Sequence, residues 1–87
     1  QQNFLFDLDN YRDLKNMTKI ELETGGSVWK LLTKPGELVE EGDILFILEV
    51  MKMEVPYASP INGKVTAVHI SEGDFVEEDQ LALEIAD

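Results

Sequence analysis

The residue types best suited to chemistry gather in the run Glu49-Val50-Met51-Lys52-Met53-Glu54, where one primary amine stands between two thioethers and two carboxylates. An unprotonated lysine amine is a nucleophile toward activated acyl groups, and its product is a neutral amide. An ordinary surface lysine lays its methylenes along the protein and keeps its ammonium in water, so large apolar neighbours bring it little. Met51 and Met53 therefore ask for a reason other than folding. A second arrangement, His69 and Ser71 two apart on one strand, could place imidazole and hydroxyl on one face as a hydrolase would, with acids nearby. No oxyanion hole accompanies it, and a structural histidine is the simpler reading. The chain has no cysteine, which removes disulfides, a thiolate nucleophile and thiolate metal sites.

The position of Lys52 follows from an internal repeat. An ungapped shift of 37 residues pairs the segment Gly26 to Glu49 with Gly63 to Ala86. Gly26 meets Gly63, Val28 meets Val65, Gly36 meets Gly73, and Val39-Glu40-Glu41 meets Val76-Glu77-Glu78. Leu31/Val68, Leu38/Phe75, Ile44/Leu81, Phe46/Leu83 and Leu48/Ile85 keep apolar character and are expected to form the core. Two copies are too few for a solenoid, so a closed domain with two-fold pseudosymmetry is expected.

Within each copy, turn signals at Lys34-Pro35-Gly36, Glu41-Gly42-Asp43, Asn62-Gly63 and Ser71-Glu72-Gly73-Asp74 separate short runs rich in Val, Ile, Leu and Phe. Strands are predicted at 27–33, 38–40, 44–50, 53–57, 64–70, 75–77 and 81–85, and the repeat implies an eighth at 18–23, where Ile20 and Leu22 alternate with charged residues. The expected class is all-β, two four-stranded antiparallel sheets packed face to face. Lys52 then falls in the reversal between 44–50 and 53–57, at a hairpin tip without the Asn, Asp or Gly that favours primed turns. Local preference is overridden where function demands it. Trp29, which stands opposite Thr66 in the repeat, is read as packing.

With 87 residues the chain is expected to hold one domain, 18–87, preceded by a linker or docking segment, 1–17. Phe4, Leu8 and Tyr11 in that segment have helical spacing. The opening Gln1-Gln2-Asn3 reads as the continuation of a longer chain. Eighteen acidic against seven basic residues give a formal charge of −11, and Glu72 to Asp87 holds seven acids and no base. Nucleic acid is not an expected partner, because its phosphates would be repelled. Neither is a membrane, since no apolar run reaches spanning length.

The run Glu49-Val50-Met51-Lys52-Met53-Glu54 resembles the attachment motif of biotinyl domains, usually written E-A-M-K-M. Gly26, Val28, Gly36, Val39, Gly42, Pro60, Gly63, Val65, Gly73 and Val76 match that family's spacing, and the likeness covers about residues 20–87. It implies a flattened eight-stranded barrel-sandwich hybrid and a non-catalytic biotin carboxyl carrier of a biotin-dependent carboxylase. Lys52 would bear covalent biotin, attached by a biotin protein ligase; Met51 and Met53 would flank and help recognise the site, and Glu49 would favour the ligase. The biotin would shuttle a carboxyl group from a biotin carboxylase to a carboxyltransferase, in the cytoplasm or an organellar matrix.

Two departures stand out: Val50 replaces the usual alanine, and Leu22-Glu23-Thr24-Gly25-Gly26 lacks the proline of A-P-M-x-G. No insertion before residue 38 supplies the thumb of bacterial acetyl-CoA carboxylase carriers, so the chain is more similar to carrier regions of multidomain carboxylases, and Gly26-Ser27-Val28-Trp29-Lys30 is similar to urea carboxylases. A lipoyl carrier would share the fold but has Asp before and Ala after its lysine, unlike Met51 and Met53. An unmodified interaction module is the remaining alternative.

Overall fold

The computed structural model describes residues 17–87. The helical spacing of Phe4, Leu8 and Tyr11 lies outside the described residues. Eight strands follow in order: β1 (Met17–Glu21), β2 (Gly26–Leu31), β3 (Leu38–Val39), β4 (Ile44–Val50), β5 (Met53–Ala58), β6 (Gly63–Val68), β7 (Phe75–Val76) and β8 (Leu81–Ala86). They form two antiparallel four-stranded sheets, ordered β1-β8-β6-β3 and β5-β4-β2-β7. All eight predicted strands are present; β1 starts one residue before the expected domain boundary, and β2 and β6 each stop two residues short of the predicted run.

The two sheets are copies of one another down to single residue pairs. Val28↔Leu48 in one sheet corresponds to Val65↔Ile85 in the other, and Phe46↔Tyr57 to Leu83↔Ile20, each member displaced by 37. The irregularities repeat too: the β2–β4 ladder slips at Trp29 and the β6–β8 ladder at Thr66. Each copy depends on the other. The Gly36 amide bonds to the Val65 carbonyl at 2.7 Å, and the Gly73 amide to the Val28 carbonyl at 2.8 Å, so each half's turn is latched to a core strand of the other.

Val28, Val65, Leu48, Ile85, Phe46 and Leu83 are almost fully buried between the sheets, in equivalent environments as the repeat requires. Phe46 stacks on Tyr57 with ring centroids 4.7 Å apart, a pairing worth about 1 kcal/mol beyond its buried area. Three expectations about packing fail. Leu38 and Phe75 are 78% and 89% exposed, because β3 and β7 are two-residue edge strands in which alternation points Val39 and Val76 inward instead. Ile44 is 40% exposed. Trp29 is not core: it is 45% exposed, since the extra residue of the bulge turns it out of the alternating pattern, and the Lys30 ammonium lies 5.5 Å from its ring.

Candidate functional site

Met51 and Lys52 are the two loop residues of the hairpin that joins β4 to β5, directly above the closing pair Val50↔Met53. Both have positive φ, 52° and 67°, as a type I′ turn needs at both central positions. Neither is glycine, so each holds a left-handed conformation that costs an L-residue about 1–2 kcal/mol. Among the described residues the other positive-φ positions are Gly36, Gly42, Gly73 and Asp79, and Asp79 occupies the place of Gly42 in the second copy. Among the described residues, two of the three non-glycine positions with positive φ are therefore at the lysine tip.

The side chains there are in solvent. Met51 is 91% exposed and Met53 65%, while Lys52, Glu49 and Glu54 are all exposed. Among the described residues Lys52 forms no ion pair; the single pair is between His69 Nε2 and Glu84 Oε2 at 3.0 Å. An amine so placed can be approached from any side by an enzyme carrying an activated acid, and no buried neighbour must move. Thioethers beside it offer a polarizable, adaptable contact surface.

The strands beneath hold the tip at a fixed height. Glu49↔Glu54 is the next ladder pair, so two carboxylates sit side by side on the outer face. On the other side of β4, Gly26 of β2 lies so close that a Cβ there would meet the Glu49 carbonyl oxygen at 2.6 Å and Val50 Cγ2 at 2.9 Å. Only glycine allows β2 to approach the hairpin root this closely. The expected first-strand proline is absent, yet β2 still begins at Gly26; Gly26 and Gly63, not a proline, fix the strand starts.

The hydrolase arrangement does not assemble. β6 ends at Val68, His69 pairs with Glu84 of β8, and the Ser71 amide is turned onto Asp74 Oδ2 at 2.9 Å; no hydrogen bond joins His69 to Ser71 among the described residues. One feature escaped the sequence reading. Tyr57 of β5 packs its ring against the core while its hydroxyl accepts the Glu23 amide at 3.0 Å, which closes one wall of a groove between β5 and the β1–β2 connection. The signal was available, since Tyr57, Glu23 and Thr24 face Ile20, Pro60 and Ile61 in the repeat.

Comparison with known proteins agrees with this geometry. The family model described as "Biotin-requiring enzyme", for biotin and lipoyl attachment, matches residues 17–85. The biotin/lipoyl attachment protein of Bacillus subtilis is 39% identical over 67 residues, which is 77% of this chain and 92% of that protein. Pyruvate carboxylase of the same organism is 37% identical over 73 residues, 84% of this chain. The crystal structure of Kluyveromyces lactis urea carboxylase superposes with a TM-score of 0.73 at 33% identity over 79% of the chain. This chain spans only 6% of each of those two carboxylases. An eight-stranded pseudosymmetric sandwich with a lysine hairpin, matched from the first described strand to the last, makes this chain a member of the biotin/lipoyl attachment family.

Proposed function

We propose that the chain is a biotin carboxyl carrier domain whose biotin is held in amide linkage on Lys52 Nζ. The observation that carries the reading is the Met51-Lys52 turn: an exposed amine, with no ion-pair partner among the described residues, held on a left-handed two-residue hairpin between methionines that are 91% and 65% exposed. The residues fit the group, because an accessible primary amine is the donor an acyl linkage requires. Lys52 attacks the carbonyl carbon of an acyl-adenylate presented by a biotin protein ligase. The C–N bond forms, the C–O bond to phosphate breaks, AMP leaves, and the amine's proton passes to solvent. The ammonium charge is lost, so the arm enters partner pockets without the cost of burying a cation.

Bound biotin supplies a ureido nitrogen that accepts and releases a carboxyl group. The chain supplies position. A group tethered to a domain that visits two sites has an effective concentration far above its bulk value, without new contacts. Met51 and Met53 are the surface read by ligase and by the partner enzymes, and Glu49 assists the ligase. The partners are a biotin carboxylase and a carboxyltransferase, as in the pyruvate and urea carboxylases that this chain resembles, in the cytoplasm or an organellar matrix. Methionine on both sides of the lysine favours biotin over a lipoyl arm.

Expression with biotin and a biotin protein ligase, followed by intact mass and streptavidin capture, tests the reading. One biotin per chain, lost in Lys52→Arg, is expected. An unmodified chain, or a lipoyl mass under lipoylating conditions with none from biotin, overturns it.

A further inference from the structure

The groove beside Tyr57 has the chemistry of a ureido ring, and it lies within reach of Lys52. Resting on the carrier reading above, we propose that it is a docking site for the ring carried by Lys52 of the same molecule, occupied between visits to partner enzymes.

The groove is open, about 460 Å³, and is lined by Glu23, Thr24, Val55, Pro56, Tyr57 and Ala58. That volume is within the usual range for a small-molecule site, roughly 300–1,000 Å³. Its polar groups are complementary to a cyclic urea, which has two N–H donors and one carbonyl acceptor. Tyr57 Oη already accepts the Glu23 amide, so its own proton is free to donate to the ureido oxygen. The Glu23 carboxylate accepts a ureido N–H. Val55 and Pro56 offer an apolar wall to the rest of the bicycle.

Reach is sufficient. From Lys52, Val55 is three residues along, about 10 Å at strand rise, and Tyr57 five residues along, about 17 Å. A lysine extended by a valeryl chain has about ten bonds between Cα and ring, roughly 12 Å, and the fused ring adds about 4 Å, so the ring reaches Val55 and Pro56 directly and its ureido end reaches the Tyr57 hydroxyl with the arm extended along β5. The β1–β2 connection runs toward the tip as well, because Gly26, two residues after Thr24, abuts Glu49 and Val50.

The pseudo-two-fold supplies an internal control. In the other copy the counterparts of Tyr57, Glu23 and Thr24 are Ile20, Pro60 and Ile61. Hydroxyls and carboxylate are therefore present only on the side that carries Lys52. Glu23 also makes the site selective, since a carboxylate admits a neutral ring and repels an anionic one.

The test compares amide and methyl NMR spectra of the full chain before and after ligase-catalysed biotinylation, with modification verified by intact mass. Shifts at Glu23, Thr24 and Val55 to Ala58, with nuclear Overhauser contacts from ring protons to the Val55 methyls, are expected. Both should shrink several-fold in Tyr57→Phe, which keeps the stack on Phe46, and in Glu23→Gln, which keeps the backbone bond to Tyr57. Shifts confined to residues 50–54 in a chain of biotinylated mass overturn the docking site and leave the carrier reading standing. Shifts that fade on dilution overturn it equally, because the ring would then occupy a neighbouring molecule. A mass without biotin sinks both readings.

Discussion

Glu49 and Glu54 are direct partners across the β4–β5 ladder, one pair below the Met51-Lys52 turn, so two carboxylates are held side by side under the amine. Directly opposed like charges destabilise a hairpin, by a few tenths of a kcal/mol where solvent screens them. Acids flanking a lysine give the tip a local charge pattern.

Glu49→Gln is accordingly expected to raise the unfolding free energy by roughly 0.3 kcal/mol at low ionic strength. The gain should vanish at high salt, because exposed charges are screened. Ligase-catalysed biotin incorporation should fall several-fold over the same salt range. Chemical denaturation and incorporation rates measured on one preparation check both; a variant that loses stability shows that Glu49 is held by a contact other than Glu54.

The turn itself stores strain. Replacing Met51-Lys52 by Asn-Gly puts residues that tolerate positive φ at 52° and 67°. Relief at two positions should stabilise the domain by about 1–3 kcal/mol. At roughly 4–8 °C per kcal/mol for a domain of this size, the melting midpoint should rise visibly while modification is abolished. Lys52→Arg is the companion: the midpoint should stay within a degree or two, and intact mass should show no biotin, since a guanidinium stays protonated and cannot attack an acyl-adenylate. Full modification of Lys52→Arg would falsify the assignment of the amine.

How much of this was readable beforehand depends on the periodicity of each feature. Strand number, the division into two four-stranded sheets and the reversal at Lys52 follow from alternation and a 37-residue shift, and the core pairs Val28/Val65 and Leu48/Ile85 occupy matching buried sites. What failed is where a single extra residue breaks alternation. Trp29 sits in a bulge, and a bulge has no local sequence signature, so a tryptophan expected inside faces solvent. Leu38 and Phe75 failed because edge strands of two residues have only one inward position each, filled by Val39 and Val76. The groove at Tyr57 brings together residues more than thirty positions apart, which no local pattern encodes.

Met51→Leu and Met53→Leu separate recognition from folding. Exposures of 91% and 65% leave little buried area to lose, so the melting midpoint should move by no more than about 2 °C. Incorporation of biotin, or its use by the partner enzymes, should drop several-fold as the polarizable thioethers are lost. A large fall in midpoint with unchanged rates makes the methionines packing residues.

Gly26 and Gly63 give the sharpest separation of site from scaffold, because the fold uses them identically and only one adjoins the hairpin. A Cβ at Gly26 would lie 2.6 Å from the Glu49 carbonyl oxygen, and one at Gly63 would collide in the same manner with the Ala86 carbonyl oxygen. Backbone cannot yield as a flexible side chain can, so Gly26→Ala and Gly63→Ala should each cost about 1–3 kcal/mol. Their effects on the lysine should differ. Glu49 and Val50 are the root of the Lys52 hairpin, and displacing them moves the tip, whereas Ala86 closes the far sheet, next to Met17 of β1. Gly26→Ala should therefore slow biotin incorporation at temperatures where both variants are fully folded, and Gly63→Ala should leave the rate near that of the parent chain. Equal rates for the two variants would mean that the height of the hairpin above its sheet is not what a ligase reads.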